Sequence, residues 1–198
     1  SKIIIIFTLF TIIFLTYFSL VGVETDKFNN QIKSKLTSVN KNLDLELDQV
    51  NLKLNLLELK INVKILGSKI KSRNEALETE SIKTKISLIS FFKNEFLIKN
   101  LDISTKSIDI ENLVSFTKTF YNNPKKIIFE KFLQVKGFVI ADLKINFDNK
   151  GNIKNNYFAK GYVKDAKLSL FKDQKLSDLN FFFKIEKDNL EIQDSEFI

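Results

Sequence analysis

Two hydrophobic patterns divide the chain. From Ile3 to Val23 no residue is charged, and the run reads Ile-Ile-Ile-Ile-Phe-Thr-Leu-Phe-Thr-Ile-Ile-Phe-Leu-Thr-Tyr-Phe-Ser-Leu-Val-Gly-Val. About 20 apolar residues cross a bilayer as a helix. Residues 1–23 are therefore predicted to be a transmembrane anchor that includes Ile3, Phe7, Phe10, Phe14, Phe18 and Val23. Thr8, Thr11, Thr16 and Ser19 are expected to donate their hydroxyls to carbonyls one turn back. A cleaved signal peptide is the competing reading. Its apolar region runs about 7–15 residues and ends at a small-x-small site. The run here is longer, and Ser19-Leu20-Val21-Gly22 is a weak cleavage candidate. Lys2 precedes the run, while Glu24 and Asp26 follow it. The positive-inside rule then predicts a cytoplasmic N-terminus, with residues 24 onward across the membrane.

Residues 24–40 are predicted to form an amphipathic helix or linker, because Phe28, Ile32, Leu36 and Val39 recur at near-helical spacing. From Leu43 the period changes to two. Leu43, Leu45 and Leu47 alternate with Asp44, Glu46 and Asp48, and Val50, Leu52, Leu54 and Leu56 with Asn51, Lys53 and Asn55. Leu57, Leu59, Ile61, Val63 and Ile65 then alternate with Glu58, Lys60, Asn62 and Lys64. This is the signature of strands with one apolar and one wet face. The parity change at Leu56-Leu57 predicts a turn or bulge. Gly67 to Ala76 is polar and reads as a loop or a weak strand end.

Ile82, Thr84, Ile86 and Leu88 resume the alternation, and Leu88 to Asn94 reads as a helical turn. Phe96 to Ile103 and Ser107 to Ile110 read as two further strands. Leu113, Val114, Phe116 and Phe120 have helical spacing, and Asn122-Asn123-Pro124 ends that segment. Residues 125–135 fit either helix or strand. After Gly137, strands are predicted through Val139, Ala141, Leu143, Ile145 and Phe147, through Ile153 to Val163, and through Ala166, Leu168 and Leu170. Leu179, Phe181, Phe183 and Ile185 make another, and Leu190 to Ile192 follows. Turns are expected at Asp148-Asn149-Lys150-Gly151, at Lys172-Asp173-Gln174 and at Asp188-Asn189. The fold class is thus mainly β with short helices, of roughly ten antiparallel meander strands in residues 41–198. Such strands suit a closed sandwich or barrel, whose apolar faces pack on each other. A packed core is the ordinary reason for such alternation, and an open groove whose apolar face meets something else, such as acyl chains, is the alternative.

Composition narrows the chemistry. The 198 residues include no Cys, His, Trp or Met. That removes disulfides, thiol nucleophiles, thiolate metal sites and every histidine-based catalytic or metal constellation. No cofactor, metal site or catalytic residue is predicted. Asp102, Asp109 and Glu111 come nearest to a carboxylate cluster, and they read as solvated acids at strand turns. The net charge of +7 comes from 31 Lys+Arg against 24 Asp+Glu, and Arg73 is the single Arg. The lysines are spread between acids, as on solvated strand faces. No nucleic-acid recognition motif accompanies them, so no nucleic-acid partner is predicted. The start at Ser1 without Met, and the stop at Phe197-Ile198 just past a strand-like run, lead to the expectation of a segment of a longer protein.

The order of elements carries a resemblance. An anchor leads into Phe28-Asn29-Asn30-Gln31-Ile32, then into strands with a Leu66-Gly67-Ser68-Lys69-Ile70 step. A unit from Ser81 to Phe92 leads into Leu97-Ile98-Lys99-Asn100-Leu101-Asp102-Ile103. Val135-Lys136-Gly137, Phe147-Asp148-Asn149-Lys150-Gly151 and Lys160-Gly161-Tyr162-Val163-Lys164-Asp165-Ala166 follow. In this layout the chain resembles the AsmA and TamB-like family of bacterial envelope proteins. The resemblance implies a single-pass inner-membrane anchor with the bulk of the chain in the periplasm, and a curved, open β-groove of the bridge-like lipid transfer type. It implies a role in guiding phospholipids between membranes, in support of outer-membrane assembly and envelope integrity. The implied partners are phospholipids, the inner membrane and outer-membrane or other envelope proteins. The implied groove lining is Leu43, Leu45, Leu47, Leu52, Leu54, Leu57, Leu59, Ile61, Val63, Ile65, Ile82, Ile86, Val139, Leu143, Ile145, Phe147, Leu168, Leu170, Phe181 and Phe183. Two rival classes stand beside it. One is an anchored structural domain that binds an envelope protein through strand edges. The other is a secreted β-protein whose mature chain begins near residue 24.

Overall fold

The computed structural model describes residues 2–26, 29–30, 33–34, 37, 43–72, 75–92, 98–118, 133–148, 154, 156–170, 174–187 and 189–196. The apolar run forms helix α1 (Lys2–Leu20). Its residues 2–10 are all exposed, an apolar surface that water would not tolerate on a free helix. The hydroxyls of Thr8, Thr11 and Thr16 donate to the carbonyls of Ile4, Phe7 and Ile12 at 2.8–2.9 Å, which satisfies them inside the helix. Val23, placed with the anchor by composition, instead belongs to strand β1 (Val23–Glu24) and pairs with Leu52. The helix stops first because Gly22, at φ +85°, breaks it. Asn29, Asn30, Lys33, Ser34 and Thr37 have helical backbone, while Phe28, Ile32, Leu36 and Val39, expected to form an amphipathic face, lie outside the described residues.

The remainder is one open antiparallel sheet with short helices. Its strands are β2 (Leu43–Glu46), β3 (Gln49–Asn55), β4 (Lys60–Leu66), β5 (Lys69–Ser72) and β6 (Glu75–Ser87). Helix α2 (Leu88–Phe92), β7 (Asn100–Thr105), β8 (Ile108–Asp109) and helix α3 (Ile110–Lys118) follow. The chain then runs through β9 (Leu133–Asn146), β10 (Phe158–Leu170), β11 (Gln174–Glu186) and β12 (Asn189–Glu196). Neighbours are ordered β1-β3-β4-β6-β7-β9-β10-β11-β12, with β2 on β5, β5 on β6 and β8 on β9. The two ends, β1 and β12, do not meet, so the sheet is not a closed barrel.

Three strands cross a bend. β2 gives way to β3 at Leu47-Asp48, and β4 to β5 at Gly67-Ser68. β6 passes through, pairing Ser81–Ser87 with β4 and Glu75–Glu78 with β5. The polar stretch from Gly67 to Ala76, read as a loop or a weak strand end, therefore carries a strand, β5, paired antiparallel with the start of β6. Its strand was hidden because Ile70 is the lone aliphatic residue in β5. At the bend the Ser68 and Thr79 hydroxyls lie 2.6 Å apart, and Thr79 N–H donates to the Ser68 carbonyl at 2.8 Å. Both side chains are fully enclosed, and each satisfies the other.

A second irregularity lies in β10. Its register with β11 shifts between Val163 and Ala166, around Asp165 at φ +51°. That bulge shifts the apolar set from odd to even positions and keeps Val163 and Ala166 on one face. Gly137 on β9 sits opposite at φ +123°, where a Cβ would come within 2.7 Å of the Ala166 Cα, so a side chain there would collide with backbone. The β3–β4 connection spans Leu56–Leu59. Asn55 Oδ1 accepts from Glu58 N–H at 3.0 Å, and Leu59 adopts φ +49°. Leu57 and Leu59, expected within a strand, lie in this turn because β4 begins only at Lys60. A left-handed leucine is strained by about 1–2 kcal/mol.

The cluster of Leu45, Val50, Leu52, Leu54, Ile61, Val63, Ile65, Ile82, Ile86 and Ile103 forms the main core. Replacing Ile65, 2% exposed at its centre, by Ala should cost about 2–5 kcal/mol in chemical denaturation of the detergent-solubilised chain. Leu190→Ala, on a side chain 61% exposed, should stay within about 0.5 kcal/mol. Equal losses at both positions would contradict this distribution of packing.

Candidate functional site

Register turns the alternation of single strands into rows that cross the sheet. Val50 pairs with Ile65, Ile65 with Ile82 and Ile82 with Ile103. The row continues through Leu143, Ala159 and Ile185 to Leu190. Directly paired residues share a face, so eight strands place an aliphatic side chain on one surface. At about 4.8 Å per strand the row spans roughly 34 Å. A second row joins Leu52, Val63, Thr84, Leu101 and Ile145, and a third joins Leu54, Ile61 and Ile86. Thr84 does not wet the second row, because its hydroxyl donates to the Asn100 carbonyl at 2.7 Å. Ile108, Val139, Val163 and Phe181 form a fourth.

Exposure rises along the surface. From β3 to β7 the first row is buried; beyond β7, Leu143 and Ile185 are half-buried, the small Ala159 between them is buried, and Leu190 is open. On the closed side Leu15 and Phe18 of α1 pack against the main core, together with Leu47, Ile70 and Leu88. The apolar surface of the sheet is therefore continuous with the apolar helix. The junction has a polar lock as well, since Lys53 Nζ donates to the Leu20 carbonyl at 3.0 Å. A cation at a helix C-terminus is favoured both by the unpaired carbonyls and by the helix dipole. Helix α3 lies against β6 and β9, where Ile110 and Leu113 join Leu77 around Ile108, Val139, Val163 and Ala166.

The residues assigned to a groove divide into three groups. Leu45, Leu52, Leu54, Ile61, Val63, Ile65, Ile82, Ile86 and Val139 are buried on the apolar face, and Leu43, Leu47, Leu143, Ile145, Phe147, Leu168, Phe181 and Phe183 are half-buried. Leu57 and Leu59 do not join them, since they are exposed in the turn. Leu170 is in β10, and its side chain lies outside the described residues. The face also includes Val50, Ile103, Ala159, Val163 and Ala166, which alternation alone marks as strand positions. Gly161, opposite Phe183, leaves room for the aromatic ring, which a Cβ would approach to 2.8 Å.

The opposite face is charged over β2–β7. Lys69 and Lys106 hold Glu78 at 2.8 and 3.1 Å, Lys60 and Lys85 hold Glu58 at 2.9 and 3.2 Å, and Lys71 meets Glu46. Hydrogen bonds from the paired lysines keep the carboxyls of Glu58 and Glu78 below their usual range, and Glu78 raises Lys69. Over β9–β11 this outer face changes character. Ile140, Tyr162 and Phe182 pair across it, the two rings stand 4.7 Å apart, and Phe138 flanks them. They border a shallow depression of about 580 Å³ with Asp142, Lys160 and Lys184 at its rim. The sequence signal for this patch was the unbroken apolar runs Phe138–Ala141 and Phe181–Phe183, where both parities are apolar. Among the described residues no group of three or more acids is placed to hold a metal ion. Comparison with protein-family models, curated proteins and solved structures gives no match.

A carboxyl lowered in the folded state contributes stability above its unfolded pKa and loses it as pH falls through the folded value. Stability should therefore drop between about pH 5 and pH 3, and less steeply in Glu78→Gln than in the unsubstituted chain. The Lys69 contribution is complete below its ordinary value of 10.5 and fades at higher pH. Thermal melts across this range at low salt check both slopes, and high salt should flatten them. Parallel curves for the two proteins would remove the ion cluster as their cause.

Proposed function

We propose that this chain is a single-pass, membrane-anchored protein whose open β-sheet carries phospholipid acyl chains along its apolar face, with headgroups left in water. Residues 2–20 supply the anchor, and the sheet lies on the far side of that membrane. In the envelope reading implied by the resemblance, the anchor is in the inner membrane and the sheet is in the periplasm. The role is then AsmA-like guidance of lipid towards the outer membrane. The observation that carries the proposal is the eight-strand aliphatic row in an unclosed sheet, contiguous with α1 through Leu15 and Phe18.

The energetics favour such a path. An acyl chain leaving a bilayer for water costs about 0.8 kcal/mol per CH₂. The part of the row that is half-buried or exposed runs from Leu143 on β9 to Leu190 on β12, roughly 14 Å, and removes part of that cost without any covalent chemistry. The burial gradient gives the row one closed side at the helix and one open side at β12. A chain of aliphatic contacts also discriminates little between headgroups, which suits a carrier of bulk phospholipid. A second reading, an anchored interaction domain, draws on a different observation: the exposed Phe138, Ile140 and Phe182 on the outer face.

The test is lipid content. The chain, purified in several detergents, should retain phospholipid detectable by mass spectrometry. Ile185→Asp, on the half-buried part of the row, should reduce lipid per protein severalfold while far-ultraviolet circular dichroism keeps its strand signal. Absence of lipid in every detergent, with the sheet intact, would overturn the proposal in favour of the interaction domain.

A further inference from the structure

The exposed leucines of the β3–β4 turn point to a contact that the groove does not explain. Leu57 is fully exposed, and Leu56 and Leu59 are 44% and 59% exposed. Turns usually carry Gly, Asn or Asp, and a position with positive φ favours Gly or Asn most. This turn instead holds three leucines in four residues, one of them at φ +49°. Glu58 is its one charged residue, and that carboxylate is held by Lys60 and Lys85 rather than left bare.

Chain direction places the turn. β1 and β3 are antiparallel, with Val23 opposite Leu52 and Thr25 N–H bonded to the Val50 carbonyl. Moving back from Val23 towards α1 therefore runs along β3 towards Asn55 and the turn. Lys53 reaches the Leu20 carbonyl on this path, and Gly22 lies against the backbone of Leu52. α2 shares the same end of the sheet, because Leu88 N–H donates to the Leu59 carbonyl at 3.0 Å. Its Ile89 is 65% exposed. Four exposed aliphatic side chains thus gather where the apolar helix leaves the sheet.

We infer that this end of the sheet, Leu56-Leu57-Glu58-Leu59 with Ile89, inserts into the headgroup–acyl boundary of the bilayer that α1 spans. The inference rests on the anchor reading of α1. Depth supports it. Leu15 packs against the sheet core and lies five residues before Leu20, a rise of about 7–8 Å along the helix. Interfacial segments bury their apolar faces about 5–10 Å into the same boundary.

The chain has no Trp, so each introduced Trp is a unique reporter. The full chain is reconstituted into phosphatidylcholine–phosphatidylglycerol vesicles with and without brominated phosphatidylcholine. Leu57→Trp and Phe14→Trp should both lose about half or more of their emission to the brominated lipid. Leu176→Trp, exposed near the opposite strand end, should keep its emission and stay accessible to iodide. Ile89→Trp reads the turn end if Leu57→Trp does not fold. Quenching of Phe14→Trp alone, with both turn-end reporters behaving like Leu176→Trp, overturns the insertion and leaves the anchor standing. No quenching of Phe14→Trp overturns the anchor, and the insertion with it.

Discussion

Cross-strand register holds this structure together. The apolar face exists because each of eight successive strands presents its aliphatic parity to the same side, from Val50 on β3 to Leu190 on β12. A slip of one residue in any pair would turn every side chain beyond it to the opposite face. The irregularities preserve this constraint. The Ser68–Thr79 bend lets β6 leave one partner and take another, and the bulge at Asp165 returns Ala166 to the face of Val163. Gly137 is the residue on the neighbouring strand that makes room for that bulge.

The outer face follows from the same register. Lysines and acids occupy the wet parity, and pairing brings them close enough to neutralise one another, as Lys69, Glu78 and Lys106 do on neighbouring elements. The excess of positive charge is therefore dispersed over a surface instead of concentrated in a patch. Like charges in one row would repel, and Asp102 between Lys83 and Lys144 breaks such a run. The outer face becomes apolar at Ile140, Tyr162 and Phe182, where both parities of β9 and β11 carry large side chains.

Burial and exposure separate stability from function along one surface. Near α1 the apolar face is packed to a few per cent exposure, so its residues hold the fold. Towards β12 the packing loosens, with Leu143 and Ile185 half-buried and Leu190 exposed. The helix joins at the packed side through Leu15, Phe18 and the Lys53–Leu20 bond, which ties the apolar helix to the sheet. The proposed lipid path and the proposed insertion both depend on that junction.

Much of this was legible in the chain itself. The uncharged run from Ile3 read as a helix, because about 20 apolar residues in that form have the length to cross a bilayer. The period of two from Leu43 set strands with one dry face, and the parity break at Leu56-Leu57 marked the turn or bulge that proves to be a turn. Local pattern was weaker where a strand lacked aliphatic residues, as in β5, and at boundaries. Leu57 and Leu59 keep the parity of Ile61 yet belong to a turn, and Val23 continues the apolar run yet pairs as a strand. Alternation specifies which residues of one strand share a face, and it is silent on which strand lies beside it. Neighbour order, the open ends of the sheet and the docking of α1 on β3 arise from long-range hydrogen bonds and side-chain packing. Those contacts join residues far apart in sequence, so only the tertiary structure decided that the dry faces form one continuous surface, packed at the helix and open at the last strand.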